Sequence, residues 1–199
     1  VLAPKPGEKV LDLCAAPGGK TLQLASAGAL VTALDVSERR LERVAENLAR
    51  TGLTADLVAA DALNWTPPGP FDAILLDAPC SATGTLRRHP DLPFAKDGSE
   101  FPGLFELQRQ IIDRAVGWLK PSGRLVYCTC SLLIDEGEEQ LRDALKRHPT
   151  LTVDTAAYAL PGITPEWIDA DGGLRLRPDY WQDLGGMDGF YIAALQNSG

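Results

Sequence analysis

The chain has 199 residues, 45% of them hydrophobic and 23% charged, a balance that suits one compact domain with a full core. No apolar run approaches the roughly 20 residues that span a bilayer, and no signal-peptide pattern opens the chain. Four cysteines at irregular spacing exclude a disulfide framework, and a formal net charge of −8 opposes a nucleic-acid partner, whose phosphates call for a basic footprint.

Short apolar runs alternate with helical stretches, the pattern of a parallel sheet with crossover helices. A first buried strand is predicted over 10–13, a helix over 19–27 and a second strand over 29–34. Ser37 then caps a helix that carries Leu41, Val44 and Leu48 and stops at Gly52. A weak third strand is predicted over 55–59, a strong fourth over 71–76 and a helix over 104–119, ended by Lys120-Pro121-Ser122-Gly123. A fifth strand over 124–129, an acidic-faced helix over 135–146 and a last strand over 189–195 follow. The Gly-, Pro- and Trp-rich stretch 155–187 reads as irregular. The order implies a doubly wound α/β sheet, in which ligands sit beyond the carboxyl ends of the strands.

That edge is where the unusual residues gather. The first strand runs into D-L-C-A-A-P-G-G-K (12–20), where Cys14, Ala15, Ala16, Pro17, Gly18, Gly19 and Lys20 form a small-residue turn that lets the backbone approach a ligand. It matches neither G-x-G-x-x-G nor a P-loop, whose first glycine would fall at Cys14. Asp35 ends the second strand, where it either accepts ribose hydroxyls or starts a helix. Asp61 follows the third strand, where an adenine amino group could be gripped, and Asp77 ends the fourth. Cys80 lies just past the fourth strand and Cys130 just past the fifth. Spacing alone does not rank the two cysteines. A zinc site of Cys80, Cys128, Cys130 and His89 lacks standard ligand spacing. Cys14 and Cys128 read as inert buried thiols.

The segments C-A-A-P-G-G-K (14–20), D-A-P-C-S-A-T-G (77–84), R-R-H-P-D (87–91), T-C-S (129–131) and D-G-F-Y (188–191) occur in order across nearly the whole chain. Together they resemble the Fmu/Sun-type RNA cytosine methyltransferases, which make 5-methylcytosine. The resemblance implies a Rossmann-like S-adenosylmethionine-dependent methyltransferase fold, with a mostly parallel seven-stranded sheet and an antiparallel C-terminal strand. It implies S-adenosyl-L-methionine as cofactor, held by residues 14–20, Asp35, Arg40, Asp61 and Asp77. It makes Cys130 the nucleophile and Cys80 the residue that aids product release. Asp77 would stabilise the adduct, and Lys20 either helps ionise the thiol or is structural.

Arg87, Arg88 and His89 would face RNA, with 16S ribosomal RNA as the substrate expected and transfer RNA next. Residues 92–103, including Lys96, depart from the family pattern, which puts the substrate contacts in doubt. Residues 1–199 read as one catalytic domain of a cytoplasmic monomer, and an upstream RNA-binding region would answer the acidic charge. The rivals are a methyltransferase acting on an amine or small molecule, which calls for an acid or Asn followed by Pro-Pro and an aromatic, and a non-catalytic RNA-binding factor, which would lack the nucleophile.

Overall fold

The computed structural model describes residues 1–95 and 97–199; Lys96 lies outside the described residues. In chain order the elements are β1 (Lys9–Leu13), α1 (Gly19–Ser26), β2 (Leu30–Asp35), α2 (Glu38–Thr51), β3 (Asp56–Ala59), β4 (Phe71–Asp77), α3 (Leu92–Ala95), α4 (Phe101–Gly117), β5 (Leu119–Thr129), α5 (Glu138–Arg147), β6 (Leu151–Val153), β7 (Leu174–Leu176) and β8 (Phe190–Asn197). The sheet order is β3-β2-β1-β4-β5-β8-β6, with β7 also on β8. β1 to β5 pair in parallel, and β8 runs antiparallel to β5.

β4 shows why the core is two-sided. Ala73, Ile74, Leu75 and Leu76 are all buried, because a parallel strand is covered on both faces. Ile74 and Leu76 pack toward Ile111 and Ile112 of α4, together with Leu141 of α5. Ala73 and Leu75 point the other way, toward Leu24 of α1. α2 is fixed as its sequence predicts: Ser37 Oγ accepts the Arg40 N–H, and Gly52 takes a left-handed φ of 69° just past the end.

Three expectations change. The 120–123 breaker does end α4, at Gly117, yet it forms a bulge inside β5, where Phe71 pairs with Leu119 before register resumes at Ala73 with Arg124. The stretch 155–187 is not wholly irregular, since β7 forms within it and Trp167 stacks on Tyr180 with ring centroids 4.5 Å apart. Among the described residues the sheet has eight strands in seven ranks. β8 is long enough for β7 to pair with its first half and β6 with its last residues, so two short strands share one rank.

Between those two strands a side chain completes the outer edge of β8. The Tyr158 hydroxyl donates to Ile192 O (3.0 Å) and accepts the Ala194 N–H (2.8 Å), standing in for the missing ladder bonds. Tyr158→Phe strands the Ala194 amide in a buried position. The expected loss is about 1–3 kcal/mol of stability, measured as a lower urea midpoint at unchanged slope; a native midpoint would contradict the bridge.

Candidate active site

The turn after β1 is held by backbone and carboxylate together. Ala15 N–H donates to Leu34 O (3.0 Å). Asp35 accepts the Ala16 N–H (3.1 Å) and the Ser37 N–H (3.0 Å), and Arg40 donates to Ala16 O (2.6 Å) while lying 3.4 Å from Asp35. Gly18 has φ 100°, and a Cβ there would come within 3.0 Å of Val44. Only glycine lets α2 approach this closely while α1 starts at Gly19.

A cavity of about 350 Å³ opens beside this turn, between Cys14, Asp35, Arg40, Asp61, Leu63, Pro79, Leu107 and Ile111. Its apolar wall suits a flat ring, and its acids suit hydroxyl or amino donors. Asp61 accepts the Leu63 N–H (2.9 Å) and the Asn64 side-chain amide (2.7 Å), which fixes its orientation. Of the turn residues 14–20, Cys14 is the one that lines this cavity. Asp35 lines it too, but its carboxylate is only 1% exposed and braces the turn. Its first role is therefore to shape the site.

Asp77 ends β4 opposite Cys128 of β5, and Ala78 N–H continues the pairing to Cys128 O at 2.9 Å. Two further bonds link Gly84 N–H to Cys130 O (2.9 Å) and Gly189 N–H to Gly84 O (2.8 Å). A Cβ on Gly84 would lie 2.0 Å from Gly189 O, so the strand ends converge only around glycine. This convergence brings Cys80 Sγ to 3.5 Å from Cys130 Sγ, with both thiols free and half-buried.

The two thiols are not equivalent. A hydrogen bond from Cys80 holds Cys130 below the ordinary thiol range against the opposing effect of burial, and Lys20 adds a smaller push in the same direction. Donation to Cys130, reinforced by burial, pushes Cys80 well above that range. Cys80 thus supplies more of the field than Lys20, which was the candidate from sequence. Cys14 is pushed up to about 12, chiefly by burial with Asp35 nearby, and Cys128 is pushed well up by burial and Asp77. Both fit the inert reading.

Lys20 Nζ lies 2.6 Å from Asp77 Oδ2; burial pulls the ammonium down, but Asp77 outweighs it and keeps Lys20 charged. Asp77 Oδ1 also takes the Cys128 thiol at 3.5 Å. On β1, Asp12 is fully buried and accepts from Thr21 Oγ1 (2.6 Å), while its Oδ1 has no partner among the described residues. Burial pushes its carboxyl up to about 7.

Arg88 Nε donates to Asp188 (2.6 Å) and Arg87 lies 4.0 Å from the same carboxylate, so D-G-F-Y anchors the basic turn. His89 is exposed in that turn, its N–H on Thr85 O at 2.9 Å. Sequence reasoning missed Asp188 as this anchor, and it missed Glu136. Glu136 is fully buried in the short 3-10 turn before α5, where it accepts from Ser81 and Gln108. No periodicity separates it from the exposed acids on either side.

A model of the family described as 16S rRNA methyltransferase RsmB/F matches residues 1–196. The chain is 43% identical over 201 residues to ribosomal RNA small subunit methyltransferase B of Erwinia tasmaniensis and 42% identical to that of Shewanella oneidensis. Each alignment covers 98% of this chain but only 43% and 44% of those proteins, so the chain spans less than half their length. The crystal structure of NSun6 from Pyrococcus horikoshii, solved with SFG, superposes with a TM-score of 0.85 at 28% identity, covering 100% of this chain and 50% of that one. With the turn, the acids and the paired cysteines in place, this chain belongs to the 16S rRNA methyltransferase RsmB/F family of S-adenosylmethionine-dependent enzymes.

Proposed function

We propose that the chain transfers a methyl group from S-adenosylmethionine to carbon 5 of a cytosine in RNA, through a covalent adduct between Cys130 and carbon 6. The observation that carries this reading is the 3.5 Å contact between two free, half-buried thiols just past the carboxyl ends of β4 and β5.

Carbon 5 of cytosine is a poor nucleophile. Addition of the Cys130 thiolate to carbon 6 breaks the ring's aromaticity and makes carbon 5 enamine-like, which divides one difficult step into easier ones. The bound cofactor supplies an electrophilic methyl group on a sulfonium. Asp61 would orient its adenine, Asp35 its ribose, and the turn 14–20 its amino-acid end. Asp77, held by Lys20, would hydrogen-bond the base at N3 or the exocyclic amine and stabilise the adduct. Carbon 5 then gives its proton to a base, and the freed electron pair re-forms the 5,6 double bond and breaks the carbon 6–sulfur bond. Cys80, 3.5 Å away, would hydrogen-bond the Cys130 thiolate as it leaves. The target base would be unstacked into the site.

The substrate assignment is 16S ribosomal RNA, supported by the family and by the names of the relatives. Arg87, Arg88 and His89 would meet phosphates beside the entrance. Asp188 offsets part of their charge and the chain carries −8 overall, so we assign the remaining RNA contacts to a region outside these 199 residues. No helix among the described residues is long and apolar enough to cross a membrane. We place the protein with its RNA in the cytoplasm, as a monomer.

Cys80→Ala is expected to accumulate a covalent complex with unmodified RNA, seen as a denaturation-resistant band, and Cys130→Ala to form none. Trapping by Cys130→Ala alone would reverse the two roles. Asp61→Ala is expected to weaken S-adenosylmethionine binding by about ten- to a hundredfold, the loss of one charge-assisted hydrogen bond. Calorimetry checks this, and an unchanged Kd would remove Asp61 from the cofactor site.

A further inference from the structure

Beneath the two cysteines lies a buried polar network that the proposed chemistry leaves unused. Glu136 Oε1 accepts the N–H of Ser81 (2.9 Å), the peptide that follows Cys80, together with the Gln108 side-chain amide (3.0 Å). Its Oε2 accepts the Ser81 hydroxyl at 2.5 Å. Because that hydroxyl proton is committed to Glu136, Ser81 Oγ is left as acceptor for Ser131 Oγ or Thr83 Oγ1, each at 3.2 Å. Ser131 follows Cys130. The main-chain carbonyl of Glu136 meanwhile accepts from Tyr127 OH (2.8 Å) and Thr129 Oγ1 (3.0 Å) on β5. Glu136 therefore holds the Cys80 loop directly, reaches Ser131 of the Cys130 loop through the Ser81 hydroxyl, and anchors the end of β5 that leads into Cys130.

Every donor reaching this carboxylate is neutral, and all of them donate, so the site is built for an acceptor-only group. A buried acceptor-only group with no cation beside it acts most strongly on what is closest, in a medium of low dielectric. Cys80, one residue from Ser81, is raised chiefly by its hydrogen bond to Cys130 and by burial, with Glu136 adding a smaller push in the same direction, whereas Glu136 does not rank among the main influences on Cys130.

We propose that Glu136 is a positioning residue that biases the two thiols toward their roles through the Ser81 peptide, favouring Cys80 as the S–H donor and Cys130 as the one that ionises. The idea rests on the reading of Cys130 as nucleophile, and it concerns what makes Cys130 so. The other charged groups around the pair are shared or already engaged. Asp77 and Lys20 are paired across the site, Arg88 is held by Asp188, and Arg175 of β7 is held by Glu138 (2.5 Å) while donating to Ser131 O (2.5 Å). Tyr127 is spent on the Glu136 carbonyl.

The test is site-resolved alkylation by iodoacetamide, in which a thiolate displaces iodide, followed by mass spectrometry across the neutral to alkaline range. Glu136→Gln is nearly isosteric: its carbonyl can keep the Ser81 N–H and Gln108, and its amide can donate to a Ser81 hydroxyl that turns toward Ser131. Cys80 is expected to react at lower pH in this variant, so that the Cys130-to-Cys80 rate ratio at neutral pH falls by about tenfold, one pKa unit. Loosened loops alone would speed both cysteines and leave the pH midpoint of Cys80 in place; that outcome overturns the proposal.

A second arm removes the partner thiol. In Cys130→Ala, adding Glu136→Gln is expected to lower the alkylation midpoint of Cys80, and an unchanged midpoint overturns the proposal. Neither arm depends on RNA. Adduct formation by Cys130→Ala would defeat the nucleophile assignment while leaving the influence of Glu136 on Cys80 to be read separately.

Discussion

The register of two strands governs the chemistry of this molecule. Parallel pairing sets Asp77 of β4 beside Cys128 of β5, and the pairing continues one residue further through Ala78. Once that register is set, Cys80 and Cys130 lie on neighbouring loops that leave the same sheet edge. Gly84 then draws those loops together, because no side chain separates it from Gly189. A one-residue slip of either strand would turn its side chains to the opposite face and part the thiols. The buried rows of β4 and β5, matched to helices on both sides, make such a slip costly. The core thus supports more than stability: it holds the thiol pair in place.

Around that pair the protein gathers carboxyl groups. Asp12, Asp35 and Glu136 are all buried at or near the carboxyl edge; Asp12 and Glu136 are answered by hydroxyls or amides, and Asp35 by backbone amides together with Arg40. Burying carboxylates in this way is costly, and the residual strain shows in Asp12, which retains an unpartnered oxygen. An edge of this kind suits a cationic sulfonium far better than a pyrophosphate. In the proposed function only a small basic turn, Arg87 and Arg88, would face RNA from this edge.

Much of this was legible before the fold was known. Strands β1, β2, β4 and the second half of β5 are largely apolar runs, and the acids or cysteines at their ends announce themselves because polar residues rarely interrupt such runs without a reason. The cap at Ser37 and the stop at Gly52 are local chemistry and were readable as such. β6 and β7 were not, because three-residue strands carry no period, and they exist only because β8 offers them an edge. Asp35 was recognised as a site residue, but its brace on Ala16 depends on a fold-back that spacing does not encode. Glu136 was hidden for a simpler reason: Asp135, Glu138 and Glu139 surround it, and only burial separates it from them. The ranking of Cys130 over Cys80 came from family resemblance alone; the 3.5 Å contact couples the two thiols, and either sulfur can be the donor in it.

The central claim is that Cys130 forms the bond to the base. The most direct measurement is peptide mapping by tandem mass spectrometry of the unsubstituted protein after reaction with RNA that carries 5-azacytidine. The account predicts the nucleotide on the peptide that contains Cys130, with Cys80 unmodified; a nucleotide carried by Cys80, or by neither cysteine, would contradict it.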